Sequence, residues 1–487
     1  MTDPAAYTSS LDTKSPGAPQ LKGQMGPIEL ALTVVAFAAP LASVVGVLPL
    51  VVMFGGVGAP IAFAAAMAML LLFSVGYTAM SRYLPNPGAF YSYISAGLGQ
   101  TFGLASSFIA VLGYLMVGLG IAIFFGIVAG DMVINTLHGP SLPWWLYSLA
   151  LVVLVGILGY LRIDLSAKVL SVVMVLEIAI VLVFDVAVAK SGGAEGFSLT
   201  SFRWDSLSSG SVGVSILFAV ITFLGFEATA IFREESRDPR KTIPRATYLG
   251  VSFIGVFYIL TTWLLVLAYG PSQAPAAATA DPTGMFTNAM VKYAGVWAGD
   301  AISILVVTSA FAAVLSCQNI IARYCHSLGV DEALPAVLGR VHPRHGSPHV
   351  ASSVLTVTMA AGILIFSGTD PNVTYAWMAG AGGFPLLFLM FLTSIAVILF
   401  FAKRREQIKD VSLWQTLIAP VLATVGLGMA VYLSATNFVA LTGGNTLTAI
   451  VLQVVIWALF GAGIALALFY KAMRPNVYAR IGRQQLN

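Results

Sequence analysis

Charge is what this sequence has least of. Of 487 residues, 9% are Asp, Glu, Lys or Arg and 58% are hydrophobic, and the mean hydropathy is +0.91. A soluble domain carries about 25% charged residues, so an exterior that faces water throughout is excluded and most of it must face lipid. Cysteine is nearly absent. Cys317 and Cys325 share one apolar block; on a helix their Cα atoms stand about 12 Å apart, beyond disulfide reach. Histidine is scarce too, with five residues, and none sits in the middle of an apolar block. That argues against an intramembrane enzyme built on zinc or on a Ser–His pair. His342, His345 and His349 crowd a basic, proline-rich stretch without a cysteine or carboxylate beside them, so no metal or other cofactor is expected. The net charge of +4 is too small to suggest nucleic acid, and no repeated filter element points to a channel.

Long apolar runs are what the sequence does have. A helix needs about 20 apolar residues to cross a bilayer, and twelve blocks qualify: 28–54, 58–80, 104–130, 143–161, 166–190, 211–232, 246–270, 293–325, 349–367, 374–401, 413–434 and 447–470. They do not alternate as barrel strands would, and in lipid the backbone must bond within its own segment, so the blocks read as helices. With the N-terminus inside, outer loops hold only Lys190, Arg203 and Lys292, and the other 21 of the 24 basic residues fall inside. This strong positive-inside bias puts both termini in the cytoplasm and the chain in the cytoplasmic membrane. Residues 1–25, polar and rich in Ser, Pro, Ala and Thr, read as a disordered cytoplasmic tail, and 471–487 as a second cytoplasmic tail.

Of the carboxylates inside the blocks, three stand out. Glu177 lies about 16 Å into the fifth, near the midplane, where a charge is costly and marks a functional site or a buried hydrogen bond. Asp185, two turns further on, reads as an interfacial charge with water near. Glu227 follows Phe223-Leu224-Gly225-Phe226, and glycine beside an acid within a span suggests a local break in the helix. The first block has a comparable weak point at Pro40-Leu41-Ala42-Ser43-Val44-Val45-Gly46. Breaks in the first and sixth spans correspond if the chain repeats after five spans, and an odd repeat is inverted in the membrane. Paired interruptions in inverted halves are the best sequence pointer to a midplane solute site.

Several stretches resemble the amino acid–polyamine–organocation superfamily of permeases. The strongest runs from Leu217 through Gly225-Phe226-Glu227, Glu234-Glu235 and Asp238-Pro239-Arg240 to Ile243-Pro244-Arg245-Ala246. Others are Leu84-Pro85-Asn86-Pro87-Gly88-Ala89-Phe90-Tyr91-Ser92-Tyr93, and Asn319 and Arg323 through Leu334-Pro335 to Val341-His342-Pro343-Arg344 and Ser347-Pro348. The resemblance implies an all-α integral membrane fold with twelve transmembrane helices. They would form a 5+5 inverted-repeat, LeuT-like core (26–190 and 211–402) plus two C-terminal helices (403–470). It implies secondary active transport of amino acids by alternating access, proton-coupled or exchanging, or of polyamines and other small amines in some branches; a non-transporting amino-acid sensor is the rival. Carried across, the backbone of Ala42, Ser43, Val44, Val45 and Gly46 would face a substrate carboxylate, and that of Phe223, Leu224 and Gly225 an ammonium group, with Tyr114 and Phe226 lining or stacking. The first-helix segment here has a single glycine, which leaves room for an amine without a carboxylate. Glu177 stands where some proton-coupled members have lysine, so it would be protonated or bind a cation.

Glu177 and Glu227 are therefore the candidate coupling groups, with H+ expected rather than Na+. The sodium version would pair Glu177 with Ser316 and freed first-helix carbonyls. In the loop that follows, Glu234, Glu235, Arg237 and Arg240 are candidate ion-pairing residues of a cytoplasmic gate. The expected partners are a small-molecule substrate and the lipid bilayer; the sequence carries no signal of oligomeric state.

Overall fold

The computed structural model describes residues 26–84, 90–161, 167–208, 210–227, 229, 236–408 and 410–482. Among them the regular structure is helical. The first apolar block is three helices: α1 (Pro27–Phe37), α2 (Pro40–Gly46) and α3 (Leu48–Gly55). After it come α4 (Ala59–Ser81), α5 (Phe90–Leu98), α6 (Gln100–Asp131), α7 (Trp144–Leu161), α8 (Ala167–Ser191) and α9 (Val212–Ile221). The second half comprises α10 (Pro239–Tyr269), the short α11 (Ala274–Ala280) and α12 (Met285–Ala294), α13 (Val296–Val330), α14 (His349–Ile365), α15 (Pro371–Lys403), α16 (Ala419–Thr436), α17 (Thr446–Met473) and α18 (Pro475–Arg480).

Nine helical stretches among the described residues are long and apolar enough to cross a membrane; the first, Pro40–Ser81, spans two of the sequence blocks. The sixth and ninth blocks appear as the shorter apolar helices α9 and α14. Helix starts follow local chemistry. Proline opens α1, α2, α10 and α15, where its missing N–H costs nothing. Asp370 Oδ1 caps the Asn372 amide at 2.9 Å, and Asn445 caps that of Thr448 at 3.0 Å.

Burial sorts centre from rim. The apolar window of Pro40–Ser81 is 78% buried and that of α15 72%, against 22% in α7 and 17% in α17, so α7 and α17 lie at the rim of the packed helices. Within the centre, α15 lies against α6. Gly126 and Gly130 of α6 pack on Trp144, Tyr147 and Ser148 of α7, so this Gly-x-x-x-Gly pair serves close packing inside the fold.

Candidate solute-binding site

Two helix interruptions meet at the centre. The first lies at Ala38–Ala39, just before the segment that the sequence picked out. Proline disfavours the α conformation in the residue before it, and Ala39 takes φ 45°, ψ 70°. Pro40 then starts α2. A fresh helix start leaves amide donors without intrahelical partners, and here the protein supplies acceptors. The Leu41 amide donates to Glu177 Oε2 at 3.1 Å and the Ala42 amide to Ser309 Oγ at 3.2 Å. Ser309 Oγ in turn donates to the same Glu177 oxygen at 3.0 Å. The Ser43 amide bonds the Ala39 carbonyl at 3.1 Å, and Ser43 Oγ donates to the Ala38 carbonyl at 3.2 Å. Glu177, only 4% exposed, thus occupies the anion position at the start of α2.

The second interruption follows α9. From Thr222 to Gly225 the chain runs in turns, and Gly225 sits at φ 111°, a conformation that favours glycine. Its amide donates to Glu227 Oε2 at 2.8 Å, and Tyr114 Oη donates to Glu227 Oε1 at 2.7 Å. Tyr77 Oη bonds the Glu227 carbonyl at 3.0 Å. The acid beside the glycine stabilises the turn that the glycine permits.

Between the breaks lies a cavity of about 100 Å³. Ala38, Ala39, Ala42 and Ser43 form one wall and Leu224 and Gly225 another; Tyr114, Val117 and Phe124 of α6, Ser316 and Cys317 of α13, and Tyr375 of α15 complete it. Among the described residues, no lysine, arginine or histidine lines it. Gly46 stands behind this wall for a steric reason: a Cβ there would meet Tyr375 Oη at 2.7 Å and Phe124 at 3.1 Å.

The candidate residues divide. Ala42, Ser43, Tyr114, Leu224 and Gly225 line the cavity, whereas Val44, Val45 and Gly46 are buried within α2 and do not. Phe223 packs on Tyr258 and Phe226 on Phe73, each ring fully buried, so neither lines it. Glu177 meets Ser309; Ser316 bonds its own helix at the Ala312 carbonyl. The groups that Glu177 accepts from are one amide and one hydroxyl, not freed carbonyls. Asp185 is 3% exposed, which corrects the interfacial reading: the face of α8 that carries it is packed against α10. Arg237 and Arg240 are exposed, and Glu234 and Glu235 lie outside the described residues. In the histidine stretch, His342 Nδ1 accepts the amides of Arg344 and His345, and the His345 and His349 rings lie 4.7 and 5.3 Å away. Sequence reasoning missed Ser309, Tyr375 and Tyr77, which have no local signature.

A helical membrane protein whose interrupted helices enclose a small cavity belongs by architecture with the solute transporters. The amino acid permease family model matches residues 32–475, and the chain belongs to that family, within the amino acid–polyamine–organocation superfamily. That family consists of membrane permeases, not enzymes. Its relatives include the low-affinity putrescine importer PlaP of Escherichia coli, 25% identical over 297 residues, or 59% of this chain and 63% of that protein. The branched-chain amino acid permease BcaP of Lactococcus lactis is 24% identical over 402 residues, 77% of this chain and 80% of that one. The lysine-specific permease LysP of the same species is 28% identical over 330 residues, covering 64% and 62%. The chain therefore spans less than two thirds of the length of the putrescine importer and of the lysine permease.

Proposed function

We propose that this permease is a secondary active transporter of a small amine-bearing solute, held between the interrupted first and sixth helices. One observation carries the choice of solute: the Leu41 and Ala42 amides, which would meet a substrate carboxylate, are already bonded to Glu177 and Ser309. With no cationic side chain on the cavity wall, a carboxylate has no ready partner, whereas an ammonium group has Tyr114 and the turn carbonyls near Leu224 and Gly225. An amine without a carboxylate is the solute that this geometry favours. Amino acids are the second reading, supported by relatives named as amino acid permeases.

The transport cycle alternates access to the cavity through twelve transmembrane helices. Residues 26–190 and 211–402 form inverted five-helix units, and 403–470 adds two more helices. The coupled ion is H+, carried by Glu177 or Glu227, and the loop from Glu234 to Arg240 closes the cytoplasmic side. Both termini face the cytoplasm across the cell membrane.

Uptake of putrescine, L-leucine and L-lysine into proteoliposomes tests the reading. The expected result is saturable putrescine uptake driven by an inward proton gradient with sodium absent. Uptake of the amino acids alone overturns the amine assignment, and uptake that needs sodium and ignores the proton gradient overturns the coupling. Solute that binds without ever crossing the vesicle favours a sensor.

A further inference from the structure

We propose that Asp185 is a proton-binding site distinct from Glu177, on the face of α8 that packs against α10. Asp185 Oδ2 accepts from Thr261 Oγ1 at 3.0 Å, while Oδ1 is buried with no partner among the described residues. The neighbouring Thr262 Oγ1 on α10 is also buried, with no partner among the described residues. Glu177 precedes Asp185 by eight residues, about 12 Å along the helix. Val181, Phe184 and Val188 fill the same buried stripe. One helix face thus carries two carboxyl groups, one at the break in the first helix and the other toward the Ser191 end.

Among the described residues, no ion pair compensates a negative charge on Asp185. At this end of the packed helices the titratable groups are Lys190 of α8, which is exposed, Tyr258 and Tyr269 of α10, Lys292 and Tyr293 of α12 and Asp300 of α13. Tyr269 and Tyr293 donate to the carbonyls of Met285 and Ala268, Lys292 lies 5.1 Å from the Tyr293 ring centre, and Asp300 accepts from Thr136. Arg240, Lys241, Arg245, Arg323 and His326 are at the opposite ends of α10 and α13; Glu29 of α1 bonds the Gly26 amide. An ionised carboxylate in dry protein with one hydroxyl partner is costly. Binding a proton removes that charge and leaves a single O–H to satisfy. A hard cation would want about six oxygens, more than this carboxyl and its bonded hydroxyl supply. The inference is independent of the solute and adds a second proton site to the cycle.

The test uses the proton itself as probe. The full chain is reconstituted in lipid vesicles without solute and followed by pH-difference infrared spectroscopy in light and heavy water. A deuterium-sensitive carboxyl C=O band that titrates in the wild type and in Glu177→Gln, and is lost in Asp185→Asn, is expected. Asp185→Glu should keep a band at a shifted frequency. Identical difference spectra for the wild type and a folded Asp185→Asn overturn the proposal. Should Asp185→Asn fail to fold, Thr261→Val removes the single hydrogen-bond partner: a moved titration midpoint supports the site, and an unmoved one overturns it.

Discussion

Glu177 Oε2 accepts the Leu41 amide at 3.1 Å across 136 residues of sequence, so a side chain of α8 caps the helix that begins at the first interruption. The contact links a protonatable group to the backbone that walls the cavity. Glutamine at 177 keeps an oxygen acceptor but binds no proton. Glu177→Gln is expected to lower gradient-driven accumulation on the order of tenfold, the scale of one ordinary coupling energy, while solute exchange at equal pH continues. Alanine instead leaves the Leu41 amide unpaired, and Glu177→Ala should also lose about 1–3 kcal/mol of stability. Parallel exchange and accumulation assays, with thermal unfolding of both variants, check this.

Gly46 and Tyr375 make a second pair. The Cβ of Gly46→Ala would stand 2.7 Å from Tyr375 Oη, so the ring must move into the cavity. Overpacking of this kind costs about 1–3 kcal/mol, and solute affinity should fall with stability. Tyr375→Phe removes the clashing oxygen. The double variant should therefore be less destabilised than the sum of the singles, by about 0.5–3 kcal/mol for residues in contact. Additive effects in thermal unfolding would show that the ring is not the obstacle.

The helical blocks were legible because lipid forces backbone groups to bond within each segment, and hydropathy records that constraint directly. The need for a break in the first span was legible too, through Pro40. Its position was misjudged because proline acts on the residue before it: the chain departs from helix at Ala39, while Gly46 stays helical and is small to admit Tyr375 and Phe124. The break at Gly225 was legible too, since an acid two residues beyond a glycine is a local pattern. Ser309 was invisible, for its meeting with Glu177 spans 132 residues and leaves no trace in either neighbourhood. Asp185 was misread because distance along a helix says nothing about which face is packed.

Gly225 and Tyr114 together hold the Glu227 carboxyl. Alanine at φ 111° is strained, and a non-glycine residue in such a region costs about 1–3 kcal/mol. Gly225→Ala should destabilise the fold by that amount and abolish uptake, since the turn itself lines the cavity. Tyr114→Phe leaves the backbone alone and removes the donor to Oε1. It should cost about 1–3 kcal/mol for the stranded acceptor and weaken solute binding in a thermal-shift titration. A Tyr114→Phe protein with unchanged binding would separate Glu227 from the solute site.

Asp331, just past the end of α13, gives a pH prediction outside the membrane. Burial pushes its carboxyl up to about 6, against an opposing hydrogen bond from the Gly482 amide and the charge of Arg480. In the unfolded chain the group titrates near about 3.9. Between these values the folded protein holds a proton that the unfolded chain has lost, so stability falls as pH rises through this window. The unfavourable contribution is fully present above the folded value and absent below the unfolded one. Asp331→Asn cannot ionise. It should therefore be more stable than the wild type at pH about 7, with the difference shrinking as pH falls toward about 4. Thermal unfolding of both proteins across that range, taken as a difference so that shared titrations cancel, gives the sign. A wild type that gains on the variant as pH rises would show instead that Arg480 and the Gly482 amide outweigh burial at this carboxyl.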